Sequence, residues 1–127
     1  MTKRVVSTAA APSSPFYSQA VVAAGLVFVS GQAPFDPVTG DLVGETIHEQ
    51  TAQCLRNISA ILEAAGTSLE HAVSATFILV DSDDFAGMNE EWSRWFGSDG
   101  PARQGAKLPI SPPGLRISIA LVAELPG

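Results

Sequence analysis

Thr46-Ile47-His48-Glu49-Gln50-Thr51-Ala52-Gln53-Cys54-Leu55-Arg56-Asn57-Ile58-Ser59-Ala60-Ile61-Leu62-Glu63-Ala64-Ala65-Gly66 decides the fold. Ile47, Thr51, Leu55, Ile58, Leu62 and Ala65 recur at three- and four-residue steps, and Cys54 and Ile61 widen the stripe. That spacing is one face of an α-helix. Gly66 follows where a left-handed residue ends a helix. Glu49, Gln53, Arg56 and Glu63 fall on the other face. An amphipathic helix must lay its apolar stripe on something, and Val73 to Val80 supplies a candidate. It is rich in β-branched residues and alternates as a strand, with a central place in a sheet.

A second helix follows. Asp81-Ser82-Asp83-Asp84 offers short oxygen-bearing side chains and negative charge to a helix start. No spaced ligand set follows the cluster, so capping is preferred over a metal site. Phe85, Met88, Trp92, Trp95 and Phe96 form the inward stripe, and Gly97 ends the helix. Asn89 lies beside that stripe, either solvated or holding a neighbouring loop.

Upstream, Val5-Val6 reads as a short strand and Ala9 to Pro15 as an irregular connection. Tyr17 to Ala23 and Leu26 to Ser30, joined by Ala24-Gly25, read as a hairpin. Ser30-Gly31-Gln32 ends it, and Gly31 could let a ligand approach the backbone, although taken alone a plain turn is the better explanation. Phe35 to Asp41 is a surface loop or loose hairpin. Downstream, Gln104 to Leu108 is a further strand and Pro112-Pro113-Gly114 a turn. Leu115 to Ala123 is the last strand, with Ile117, Ile119, Leu121 and Ala123 on one side and Arg116, Ser118, Ala120, Val122 and Glu124 on the other. The order predicts an α+β chain, a mixed sheet with two helices on one face. The other face, rich in apolar residues, calls for a closed oligomer.

The 127 residues fit one domain spanning 1–127. A net charge of −6, with no basic run beyond Lys3-Arg4, argues against nucleic-acid binding. No run approaches the length of a membrane span, and the N-terminus from Met1 lacks the apolar core of a signal peptide. The single cysteine, Cys54, excludes an internal disulfide and fits a reducing, cytoplasmic setting. It reads as a packed core thiol, and His48 and His71 are assigned no chemistry.

Gly100-Pro101-Ala102-Arg103 is the candidate binding element. A guanidinium after a rigid turn suits a carboxylate, which it can grip through two parallel hydrogen bonds. Taken alone, Arg103 reads more readily as a solvated surface arginine.

Four stretches together resemble the reactive-intermediate deaminase (Rid, YjgF-like) family. They are Tyr17-Ser18-Gln19-Ala20-Val21, Val29-Ser30-Gly31-Gln32-Ala33-Pro34, Phe85-Ala86-Gly87-Met88-Asn89-Glu90 and Pro101-Ala102-Arg103. Asp36 to Gly40 and the Gln50 to Gly66 helix fit as well, so the resemblance covers nearly the whole chain. It implies a chorismate-mutase-like fold and a homotrimer with clefts between subunits. The implied reaction hydrolyses 2-imino or enamine acids to 2-keto acids and ammonia, without metal or organic cofactor. Arg103 would hold the substrate carboxylate, Gly31 and Gly105 would contribute backbone groups, Tyr17 would line the cleft, and Ser30 and Asn89 would support its walls.

One departure stands out. Active members end in a strand like Val-Glu-Ile-Glu-Ala, whose second glutamate contacts the attacking water. The aligned residues here are Ile117-Ser118-Ile119-Ala120-Leu121. Ala120 has no acceptor, and Glu124, four residues on, lies about 13 Å away. Arg116 adds charge at the start of the same face, and Pro109 disturbs the run after Arg103. Two readings therefore stand: a deaminase whose water is held by backbone carbonyls or Ser118, and a non-catalytic module binding a small carboxylate metabolite. A ribonuclease is disfavoured by the acidic charge and the lack of a His/Lys constellation. Ala120 and Gly105 would enlarge the cleft for another imine.

Overall fold

The computed structural model describes residues 2–109 and 111–127. Strands β1 (Arg4–Val6), β2 (Ala20–Ala23) and β3 (Leu26–Gln32) precede helix α1 (Ile47–Ala65). Then come β4 (Ala72–Leu79), α2 (Phe85–Phe96), β5 (Ala102–Lys107) and β6 (Ile117–Glu124). The sheet order is β1-β2-β3-β6-β4-β5, antiparallel throughout except for the parallel pair β4 and β5. Both helices pack on one face of this mixed sheet, the expected α+β architecture.

The α1 boundaries follow from the residues that flag them. Thr46 Oγ1 accepts from the Glu49 backbone N–H at 3.1 Å, and the Glu49 carboxylate accepts from the Thr46 N–H at 3.1 Å, a reciprocal capping box. The Thr46 N–H, with that of Glu45, holds the Glu49 carboxyl below its ordinary pKa. Gly66 closes the helix in the left-handed conformation at φ 99°. The last turn of α1 has no cation of its own, and Arg4 from β1 donates to the Ala65 carbonyl at 3.1 Å. The β2–β3 turn is left-handed at both Ala24 (φ 54°) and Gly25 (φ 76°), matching the right-handed twist of the hairpin.

Leu55, Ile58, Ile61 and Leu62 are fully buried against Val27, Ile117 and Ile119. Cys54 is buried with them; burial pushes its thiol pKa up, which suits packing rather than reactivity. Gln53 departs from the expected outer face. It is only 9% exposed and donates to Asn57 Oδ1 at 2.9 Å, and Asn57 in turn donates to the carbonyls of Ala33 and Phe35. Helical spacing placed Gln53 outward, but the 33–37 loop folds over that side of α1.

Among the described residues no helix covers the opposite sheet face. Val5, Val21, Phe28 and Val122 lie in register across it, and Phe28 remains 45% exposed. Ser118, Ala120, Thr76 and Ile78 continue the same face.

Candidate functional site

Arg103 lies on β5, an edge strand exposed along its whole length. It pairs with Ala75, whose side chain is buried under the helices, so the arginine points to the helical face. There Nη1 donates to Asn89 Oδ1 on α2 at 2.8 Å. Three rings surround the guanidinium carbon, Phe77 at 4.9 Å, Trp92 at 5.0 Å and Phe85 at 5.7 Å from their centroids. Among the described residues no carboxylate stands within ion-pair distance of it. Withdrawal from water lowers its pKa, yet a guanidinium stays protonated. The result is a charged fork oriented by one amide and three rings, with donors to spare. Asn89 takes the holding role over the solvated one, the neighbour being Arg103 itself.

Gly105 sits two residues further along the same face, in register with Phe77. A Cβ at this position would overlap the Phe77 ring. Gly105 therefore does not enlarge a cleft, as its small size led us to expect, because Phe77 occupies the space. Phe85 is also displaced from its expected place in the buried stripe. It is 44% exposed, with its ring 5.8 Å from that of Phe77. These two rings, with Leu79, Gly105, Ala106 and Lys107, line a cavity of about 430 Å³.

Tyr17, Gly31 and Ser118 gather elsewhere. They line a second cavity, also about 430 Å³, with Pro12, Leu108 and Leu115. The β3 strand bulges between Val29 and Gln32, which brings Gly31 over β6, and a Cβ there would sit 3.3 Å from Ser118 Oγ. Tyr17 is 57% exposed at the rim. Ser30, adjacent to Gly31, does not line this cavity among the described residues and donates its hydroxyl to the Ser18 carbonyl at 2.6 Å. Gln19 anchors the preceding connection: its Nε2 donates to the carbonyls of Thr8, Ala11 and Pro12, and its Oε1 accepts from the Thr8 N–H. Among the described residues the two cavities share no lining residue. Arg103 lies on the helical face of the sheet and Ser118 on the uncovered face.

Ala120 lies on that uncovered face opposite Thr76, and Glu124 is opposite Leu26 near the far end of the strand. Arg116 does not add free charge to the face. Its Nη1 meets both carboxylate oxygens of Asp84, at 3.0 and 3.2 Å, and its Nε donates to the Glu45 carbonyl. Asp84 is thereby drawn away from capping α2; Asp81 caps instead, accepting from the Asp83 N–H at 2.9 Å on a short 3₁₀ turn. Pro109 lies beyond the end of β5 and leaves the Arg103 strand regular. His48, given no role, bonds Glu90 at 2.8 Å and ties α1 to α2. Among the described residues no group of His, Cys, Asp and Glu side chains is placed to hold a metal, and no helix is long and apolar enough to cross a membrane.

Comparison with known proteins gives a consistent result. The family model described as Endoribonuclease L-PSP matches residues 8–125. A RutC family protein of Pyrococcus horikoshii is 44% identical over 123 residues, covering 95% of this chain and 97% of its own. The human 2-iminobutanoate/2-iminopropanoate deaminase is 41% identical over 123 residues, covering 95% and 89%. The crystal structure of Escherichia coli TdcF, solved with bound serine, superposes with a TM-score of 0.87 at 30% identity, covering 95% and 98%.

Proposed function

Since the chain belongs to the Endoribonuclease L-PSP (Rid, YjgF-like) family, we propose that it hydrolyses 2-imino acids to 2-keto acids and ammonia, holding the substrate carboxylate on Arg103. The observation that carries this reading is the guanidinium itself, oriented by Asn89 and three rings and free of any carboxylate partner among the described residues. A planar carboxylate takes two parallel hydrogen bonds from such a fork. Relatives named as deaminases of small 2-imino acids, and one structure holding an amino acid, agree with the ligand class.

The chemistry asked of the protein is small. The protonated imine carbon is already electrophilic; water adds to it, one proton passes from that water to the nitrogen, and the C–N bond breaks as the C=O bond forms, the second water proton leaving with the ammonia as ammonium and the keto acid remaining. Orientation and a positioned water suffice. Ser118 and the Gly31 backbone border a cavity with room for such a water, whereas Ala120 offers no side-chain acceptor.

We further propose that the working site lies between subunits of a homotrimer. The Arg103 group and the Tyr17–Gly31–Ser118 group face opposite sides of one sheet, and the uncovered face is apolar. A neighbour covering that face would bring one chain's Arg103 towards the other's Ser118. A light-scattering mass of three chains is expected; a monomer mass at micromolar concentration refutes this arrangement.

A non-catalytic binding module is the second reading, favoured by Ala120. Incubation with 2-iminopropanoate generated in situ separates the two. Ammonia release above the buffer rate that Arg103→Ala abolishes supports the deaminase. No acceleration, with pyruvate still bound in an Arg103-dependent way, supports the module.

A further inference from the structure

We propose that the substrate side chain is apolar and bulkier than a methyl or ethyl group, and that it lies in the cavity between Phe77, Leu79 and Phe85. This rests on the Arg103 clamp proposed above and names the kind of imino acid the clamp receives. Phe77 and Phe85 border the guanidinium, at 4.9 and 5.7 Å, and also line the cavity of about 430 Å³. A carboxylate held on Arg103 therefore meets the cavity wall next, and its side chain has an apolar surface to enter.

Two features of the sequence sharpen this. Phe85 keeps 44% of its surface exposed at the first position of α2, so much of its apolar ring faces the cavity side rather than the core. Gly105 admits the Phe77 ring over the strand, so that the ring forms a floor; any side chain at 105 would push it out of that position. The polar groups at this cavity are Ser82 and Lys107, and Lys107 is exposed, with its ammonium able to stay in water while its stem lies along the rim. A methyl-bearing imine would leave two phenyl faces wetted in the complex; a branched aliphatic or benzyl chain would cover them.

The test uses imines generated in situ from alanine, leucine and phenylalanine by an amino-acid oxidase, with the full-length protein. Each methylene accommodated in an apolar pocket is worth about tenfold in kcat/KM. The leucine- and phenylalanine-derived imines are therefore expected to exceed the alanine-derived one by about tenfold or more. Phe77→Ala and Phe85→Ala should each bring that ratio towards one, and Phe85, being half exposed, can be truncated without unfolding the chain. Equal or better turnover of the alanine-derived imine, or a ratio that neither variant moves, overturns the inference. Turnover of no imine counts against deamination instead. The side-chain inference is then decided by calorimetry with pyruvate, 4-methyl-2-oxopentanoate and phenylpyruvate, where equal affinities overturn it and a tenfold preference for the larger acids sustains it.

Discussion

Gly105→Ala should damage the anion receptor without touching any polar group in it. A Cβ at 105 would fall within 2.6 Å of Phe77 Cε2 and closer still to Cε1 and Cζ, far inside ordinary contact distance. The backbone pairing of β4 with β5 fixes both residues, so the ring must swing away. It then loses its contact with Phe85, worth about 0.5–1.5 kcal/mol for an aromatic pair. It also loses its place under the Arg103 guanidinium, worth about 0.5–1 kcal/mol at an exposed site. The sum, roughly 1–2.5 kcal/mol, matches the usual cost of overfilling a packed position. Chemical denaturation of the wild type, Gly105→Ala, Phe77→Ala and the double variant, at one fixed protein concentration, measures it. With the ring removed, the three nearest obstacles to a Cβ at 105 are gone and alanine there should be neutral or slightly favourable, since glycine costs a strand about 0.5–1 kcal/mol. The expected coupling energy is therefore roughly 1–2.5 kcal/mol. If Gly105→Ala costs the same with and without the ring, the proposed complementarity between glycine and phenyl ring is wrong.

Arg103→Lys retains the charge but not the planar fork, so pyruvate affinity by calorimetry should fall at least about tenfold; unchanged affinity would remove Arg103 from the clamp. Thr46→Ala breaks the capping box of α1 and should cost about 1 kcal/mol, read as a Tm lowered by roughly 3–5 °C. Because accepted backbone hydrogen bonds hold the carboxyls of Glu49 and Asp36 below their ordinary pKa, the stability they add is present above that range and disappears as pH falls through it. Glu49→Gln should accordingly flatten the acid limb of a stability profile between about pH 3 and about pH 6. Ala120→Glu should restore an acceptor on the uncovered face and raise kcat by about tenfold or more with little change in keto-acid affinity; an unchanged kcat would show that the water is held by other groups.

How far the sequence could be read depended on the range of the interactions involved. The apolar stripe of α1, its glycine stop, the Ala24-Gly25 turn and the alternation of β6 are each settled within a few residues, and each matches the structure. Gln53 was misplaced because its burial depends on the 33–37 loop, which no periodicity within the helix reports. Phe85 misled in the opposite direction: its spacing belongs to the inward stripe, but the first turn of α2 overhangs the edge strand and leaves the ring beside a cavity. Arg103, Gly31 and Gly105 stood out as residue types, yet the rings around Arg103 come from β4 and α2, and Phe77 meets Gly105 only through strand pairing. A glycine beside a candidate binding residue signals space for something. Whether ligand or protein fills that space is a tertiary question, and here the protein fills it.

The split between the two groups of site residues bears on what Ala120 means. Arg103 holds to the helical face near an exposed edge, while Ser118, Gly31 and Ala120 face the uncovered side. Within one chain the sheet stands between Arg103 and Ser118, so under the proposed function a single chain would supply the carboxylate clamp but only part of the site for hydrolysis. A missing acceptor at 120 then impairs only the half of the site that a neighbouring copy would supply. Affinity for a keto acid and turnover of an imine should consequently respond to different variants: the first to Asn89, Phe77 and Gly105, the second to Ser118 and residue 120. Oligomer-disrupting changes on the Val21–Phe28–Val122 face should act with the second group. That separation is what an inter-subunit site predicts, and a site closed within one chain would not produce it.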